Sequence, residues 1–409
     1  MSLQPFRTRE GGRIDREHTL SFRFNDADYF GHPGDTLASA LLANGVHLVG
    51  RSFKYHRRRG ILSAGAEEPN ALVQLRYGRR TEPNVRATVA ELFDGLSATS
   101  QNHWPSLSFD VGAVNNLLSP LFPAGFYYKT FMWPERWWEF YEGFIRRMAG
   151  LGRAPAGPDP DRYDKHYLHC DVLVVGAGPA GLAAAQWAAR TGARVVLADE
   201  QAEFGGSLLG NGEEIDGNPG MYWTEGILAE LEQADNVRLF SRTTVAGYFD
   251  HNFLTMLERA ADHVLKPAPD HPRQRLWKVR ARQVVLATGA LERPLVFGGN
   301  DRPGVMLAGA AQTYVRRYAV RPGSRAVVVT NNDSAYRTAL DLKAAGVSVQ
   351  GLYDLRPQPS VSWLPLLNDA GIEVSAGRAV ASTRGQRRLS GVELVRLDES
   401  GGVVSGGRR

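Results

Sequence analysis

The chain has 409 residues and a formal charge of +5, with 43% hydrophobic and 10% aromatic residues. That length exceeds one ordinary core and predicts two to three domains, while the apolar content excludes an intrinsically disordered chain. The arginines gather locally, as at Arg57, Arg58 and Arg59, so nucleic acid is not indicated, and the single cysteine, Cys170, excludes an intrachain disulfide, a four-cysteine zinc site and an iron–sulfur cluster ligated by this chain alone. The N-terminus lacks an apolar leader core, and no stretch approaches the roughly 18 apolar residues of a membrane span. The expected setting is the reducing cytoplasm, with no membrane partner.

From His18 to about Ala98 the pattern is short strands around one helix. SFRFN alternates in polarity, GHPGD supplies a turn, and TLASALLANG places Leu37, Leu41 and Leu42 on one helical face with Gly45 as the C-terminal cap. VRATVAELF alternates again and is predicted as a strand. Residues 1–99 are therefore expected to form an α+β domain of β-grasp type. Within it, RSFKYHRRRG, Arg51 to Gly60, is either a solvated basic loop or a phosphate contact. Residues 100–169 are rich in Trp, Phe, Tyr and Pro and are expected to be a connector. Trp137, Trp138, Phe140, Tyr141 and Phe144 would make an apolar helix stripe buried against a neighbouring domain or subunit, and no chemistry is assigned to it.

From Cys170 onward, apolar runs alternate with helix patterns, which predicts an α/β fold with a parallel sheet. A Rossmann-type domain is expected over 170–322 and a second, incomplete unit of the same kind over 323–409. Gly176, Gly178 and Gly181 form GxGxxG between the strand Val172 to Val175 and the helix Leu182 to Arg190. The first glycine permits the tight turn, the second lets backbone approach a pyrophosphate, and the third lets helix pack on strand. The next strand ends in Asp199 and Glu200, at the spacing where a carboxylate accepts from adenosine ribose hydroxyls and disfavours a 2′-phosphate. NAD or FAD is thus favoured over NADP. VVLATGA brings Ala287, Thr288 and Gly289 to the end of another strand of that sheet, on the plan of flavoproteins with two dinucleotide-binding domains. The matching turn of the second unit, Thr330 to Ala335, has no glycine, and Asp333 would repel a pyrophosphate, so that unit is predicted to be structural. No CxxC pair, metal-ligand spacing or catalytic triad is present, and Cys170 reads as a core thiol.

GDTLASALLANGV, RSFKYHRRRGILSAGAEEPNALV, SQNHWPS, AGFYYKTFMWP, DVLVVGAGPAGLAAA and ADEQAEFGGSLL together resemble the alpha subunit of heterotetrameric sarcosine oxidase. The resemblance implies a complex with beta, gamma and delta subunits that oxidises sarcosine to glycine with hydrogen peroxide, the one-carbon unit leaving as 5,10-methylenetetrahydrofolate or formaldehyde. It implies NAD in this chain, with FAD as the alternative at the same site. FMN is shared at the interface with the beta subunit, and the ferredoxin-like N-terminal domain lacks cluster cysteines. Carried onto matching positions, the NAD contacts are Ala180, Asp199, Glu200, Gln201, Ser207 and Val245. No catalytic residue is expected in this chain. The family's alpha subunit continues into a region resembling a folate-binding aminomethyltransferase, whereas this chain stops at SGGRR and is read as a fragment. Two alternatives stand beside this reading: a nucleotide-binding scaffold without turnover, and an alpha-type subunit of an opine or proline dehydrogenase, whose relatives generally keep cluster cysteines.

Overall fold

The structure, a computed structural model, describes residues 4–121, 133–148, 150–359 and 362–404. Most of the AGFYYKTFMWP motif, the Phe144 side chain and the last five residues lie outside the described residues. The chain divides into two compact units, one of residues 1–10, 14–159 and 293–409, the other of residues 11–13 and 160–292. Among the described residues no helix is long and apolar enough to cross a membrane.

In the first unit, β1 (Leu20–Phe24), β2 (Ala27–Gly31), β3 (Leu72–Leu75), β4 (Glu82–Arg86) and β5 (Leu96–Ser100) form a sheet of order β2-β1-β5-β3-β4. β1 and β5 run parallel and the other neighbours antiparallel. Helix α1 (Leu37–Ala43) starts in a reciprocal cap between Thr36 and Ser39 and ends at Asn44, after which Gly45 turns with φ +80°. All seven of its residues are buried, not only the leucine face, because the remaining positions are Ala and Ser and fit against the sheet. VRATVAELF is a strand only as far as Arg86. Beyond it the carbonyls of Ala87 and Ala90 accept from the backbone N–H groups of Ala38 and Leu37 at 2.9 and 2.8 Å. Residues predicted to extend the sheet thus cap the free first turn of α1. In the connector, α2 (Trp138–Met148) forms; among the described residues Trp137 and Phe140 are 50% and 64% exposed, while Trp138 and Tyr141 are half-buried.

The second unit carries the nucleotide-type turn. Strand β6 (Tyr163–Val175) begins earlier than the motif suggests and leads into α3 (Pro179–Arg190) and β7 (Val195–Ala198). Helix α4 (Gly220–Glu232) is followed by β8 (Val237–Phe240), β9 (Thr243–Phe249), β10 (Phe253–Glu258) and β11 (Gln274–Leu286). The sheet order is β8-β7-β6-β11-β10-β9, the first four strands parallel and the last two an antiparallel addition. Successive residues face opposite layers. Val174, Val195 and Leu197 pack with Leu182 and Ala185 of α3 and Ile227 and Leu231 of α4. Leu173, Val196 and Ala198 pack with Leu254 and Met256 of β10 and Val279 of β11. The run Val172 to Val175 is apolar throughout because both of its faces are covered.

Residues 293–322, expected with the first nucleotide domain, belong instead to the unit that holds the β-grasp sheet. Helix α5 (Ala308–Arg316) sends Tyr314 into the same core as Phe22, Leu41 and Leu96, where its hydroxyl donates to Ser63 O at 2.8 Å. Amphipathic spacing marks a helix without saying which sheet its apolar face enters. The remainder is a parallel three-stranded sheet of β12 (Arg325–Thr330), β13 (Ser348–Asp354) and β14 (Val374–Ala376), with α6 (Ser334–Ala344) between the first two, followed by a hairpin of β15 (Arg378–Gly385) and β16 (Leu389–Arg396).

Candidate functional site

The turn between β6 and α3 is built by contacts that only glycine permits at two positions. Gly176 has φ +95°, and a Cβ there would stand 2.4 Å from Ala287 O. A Cβ on Gly181 would stand 1.8 Å from Gly176 O. Gly178 is different, because the nearest atom to its Cβ would be the Gly206 Cα at an ordinary 3.8 Å. A Cβ at 178 would therefore make only an ordinary contact, and the φ of −74° suits any residue, so neither demands glycine there. Gly178 is also the N-terminal cap residue of α3, offers no side-chain cap, and is followed by Pro179, so the positive end of a twelve-residue helix lies at this turn.

Two glycines beyond β7 close the opposite side. Gly205 (φ +132°) donates its N–H to Ala177 O at 2.9 Å, and a Cβ on Gly206 (φ +55°) would come within 2.7 Å of Gly178 Cα. Nothing in the sequence of FGGSLL assigns these glycines a role. Their positive φ is a consequence of the close approach of two backbones and carries no local spacing signal. Ser207, the predicted contact in this segment, is exposed at the start of the short helix Leu208–Asn211.

Asp199 and Glu200 are not equivalent. Asp199 is 8% exposed, its Oδ2 accepts from Ala177 N at 2.7 Å, and its Oδ1 accepts from Gln201 N at 2.8 Å. Its backbone is fixed as well, with N donating to Phe240 O at 2.9 Å and O accepting from Thr243 N at 2.7 Å. Each carboxylate oxygen keeps a further lone pair, so Asp199 ties the glycine turn to the end of β7 and retains acceptor capacity toward the slot. Glu200 is exposed, and its backbone O accepts from Arg259 Nη2 at 2.5 Å. Gln201 is half-buried, its O accepting from Arg242 N at 2.8 Å. Val245 lies on β9 two residues past Thr243 and packs partly into the core beneath the sheet. Ala287 is hydrogen-bonded through N to Val175 O at 2.8 Å, and Thr288 and Gly289 follow it, exposed, with Gly289 at φ +70°. Ala180 is exposed on the first turn of α3. The glycine turn, Asp199, Gly205–Gly206 and Ala287 thus meet directly, while Glu200, Gln201 and Val245 join them through the Asp199 links.

Among the described residues, no hydrogen-bonded pair of titratable side chains suited to acid–base chemistry adjoins this slot. Cys170, in the strand that leads to it, is buried, and burial pushes its thiol up to about 11. The neutral thiol is the form that the fold favours, as a core residue requires.

The second turn, Thr330 to Ser334, is filled by its own side chains. Asn332 Oδ1 accepts from Ser334 N at 3.0 Å and from Ser334 Oγ at 2.7 Å, at the N-terminus of α6. Asp333 pairs with Arg356 at 2.7 Å, and Arg356 also pairs with the fully buried Asp354 at 2.7 Å, whose other donor is Tyr336 Oη at 2.9 Å.

Residues 17–103 match the 2Fe-2S iron-sulfur cluster binding domain family, and residues 171–265 match the FAD dependent oxidoreductase family. Over 396 residues the chain is 52% identical to the sarcosine oxidase subunit alpha of Rhizobium meliloti (strain 1021), which covers 96% of this chain and 39% of that protein. It is 39% identical over 396 residues to the sarcosine oxidase subunit alpha of Corynebacterium sp. (strain U-96), covering 95% and 36%. The chain spans less than half the length of these relatives. Among solved structures, L-proline dehydrogenase from P. horikoshii shares the fold, with a TM-score of 0.58 at 18% identity over 96% of this chain and 59% of that one. A 2Fe-2S cluster does not fit the matched segment, because residues 17–103 contain no cysteine and the chain's one thiol, Cys170, is buried elsewhere. The residues of the second match are compatible with a dinucleotide: α3 begins at Gly178 without a side-chain cap, and a Cβ there would meet only an ordinary contact.

Proposed function

Because the chain resembles the alpha subunits of sarcosine oxidases along almost its whole length, we propose that it is the nucleotide-holding part of such a subunit. The assembled enzyme, with beta, gamma and delta partners, would convert sarcosine, oxygen and water to glycine, formaldehyde and hydrogen peroxide, or pass the one-carbon unit to tetrahydrofolate as 5,10-methylenetetrahydrofolate. The observation that carries the proposal is the slot at Gly178, where the fold leaves glycine unexplained and a ligand explains it.

The nucleotide is proposed to be NAD, with FAD the competitor for the same slot. Backbone N–H groups at the start of α3 and the nearby Ala180 hold its pyrophosphate. Asp199 and Glu200 accept from the adenosine ribose, Gln201 and Ser207 border it, and backbone at Val245 meets the adenine edge. Ala287, Thr288 and Gly289 close the strand end over it. NAD supplies a bound nicotinamide, and an FMN held with the beta subunit supplies the flavin chemistry. This chain's residues bind, orient and exclude water, and the catalytic groups lie in the partner.

Reconstitution with the partner subunits separates this reading from a scaffold without turnover. Sarcosine should bleach the flavin absorbance when the beta subunit is present, and assembly without this chain should lose the FMN signal. Full oxidase activity in a complex lacking this chain would refute the proposal.

A further inference from the structure

A second concavity of the nucleotide unit shares none of the residues discussed above as dinucleotide contacts. It is a cleft of about 400 Å³ whose lining includes Arg238, Phe240 and Ser241 at the end of β8, Glu258 of β10, and Arg275 and Trp277 of β11. Trp277 is only 8% exposed, and its indole Nε1 donates to Glu258 Oε2 at 2.7 Å. Arg275 Nη1 donates to the other oxygen of Glu258 at 3.0 Å. One carboxylate therefore fixes the indole and neutralises one guanidinium.

Arg238 is left over. Its guanidinium lies over the rings of Trp277 and Phe240, 5.4 and 5.3 Å from their centroids. Among the described residues it makes no hydrogen bond or ion pair. A guanidinium stacked on aromatic rings gives up part of its motion before any ligand arrives, yet keeps its five in-plane donors for a planar acceptor. The charge balance of the cleft is one cation beyond neutrality, since Arg238 and Arg275 face only Glu258. Its volume suits a small molecule.

We propose that this cleft binds a small oxyanion, the carboxylate or phosphate group of a metabolite, with Arg238 as the fork that grips it and Arg275 as the second, tethered cation. The site is independent of the nucleotide reading, and nothing in its test depends on NAD, FAD or oxidase activity.

The experiment titrates the full chain with sodium phosphate and, separately, with sodium acetate, against sodium chloride at constant ionic strength, following tryptophan emission. At least one oxyanion should give a saturable change, with half-saturation of about 1–10 mM for a single exposed site. Arg238→Gln should raise that concentration at least about tenfold, and Arg238→Lys, which keeps the charge but not the fork, should fall between. Trp277→Phe should remove the emission change, because the stacked indole is the reporter. Arg238 is exposed, so its variants should keep the wild-type unfolding midpoint, which a melting curve checks. A tighter response to phosphate assigns a phosphate-bearing ligand and a tighter response to acetate a carboxylate. A response no greater than that to chloride, an unchanged response in Arg238→Gln, or an unchanged emission change in Trp277→Phe would overturn the proposal.

Discussion

The two strand–turn–helix units use the same backbone plan in opposite ways. At Gly176 to Gly181 no side chain caps α3, and the glycines bring Ala287 and Gly206 against the turn, while a Cβ on Gly178 would make only an ordinary contact. At Thr330 to Ser334 the Asn332 side chain accepts from Ser334 N at the start of α6, and Arg356 pairs with both Asp333 and Asp354. A helix N-terminus must have its free N–H groups satisfied. Whether the protein's own side chains or a ligand does so decides whether the unit is a structural element or a binding site.

Substitutions that exchange these situations should break the contrast, and the largest effect on stability belongs to Gly181. Gly181→Val forces a Cβ into Gly176 O and should cost about 3 kcal/mol or more in chemical denaturation, with loss of any bound nucleotide. Asp199→Asn comes next. The amide cannot accept from both Ala177 N and Gln201 N as the carboxylate does, and about 1–3 kcal/mol should be lost together with nucleotide affinity. Asn332→Ala removes the acceptor of Ser334 N and Oγ at the start of α6 and should cost about 1 kcal/mol, leaving the nucleotide content of the purified protein unchanged. Gly178→Val should change the stability of nucleotide-free protein least, by about 0.5 kcal/mol, because a Cβ there meets only Gly206 Cα at an ordinary 3.8 Å. The same variant should retain no nucleotide. A large destabilisation by Gly178→Val would mean that the glycine serves the fold and not a ligand.

These differences also mark how far the sequence could be read. Gly176, Gly181 and the acidic strand end were legible because strand, tight turn and helix fix their spacing. The matching turn of the second unit carries Thr330, Asn332 and Ala335 at the three glycine positions, and its own side chains bond one another there. Local patterns do not report which distant backbone comes close, so Gly205 and Gly206 passed without a role until the structure set them against Ala177 and Gly178. The pairing of Asp199 with the turn, which separates it from Glu200, was hidden for the same reason. Tyr314 looked like part of the first nucleotide domain, yet it fills the core beside Phe22 and Leu41. The segment after Arg86 reads as a strand, but the unsatisfied first turn of α1 claims its carbonyls.

The central claim is that the slot over Gly178 holds an adenine dinucleotide, and that it is NAD. Denaturing the purified chain and identifying the released small molecule by mass spectrometry tests it most directly. NAD is expected from the wild type and none from Gly178→Val. Release of FAD would contradict the assignment to NAD, and undiminished release from Gly178→Val would contradict the site.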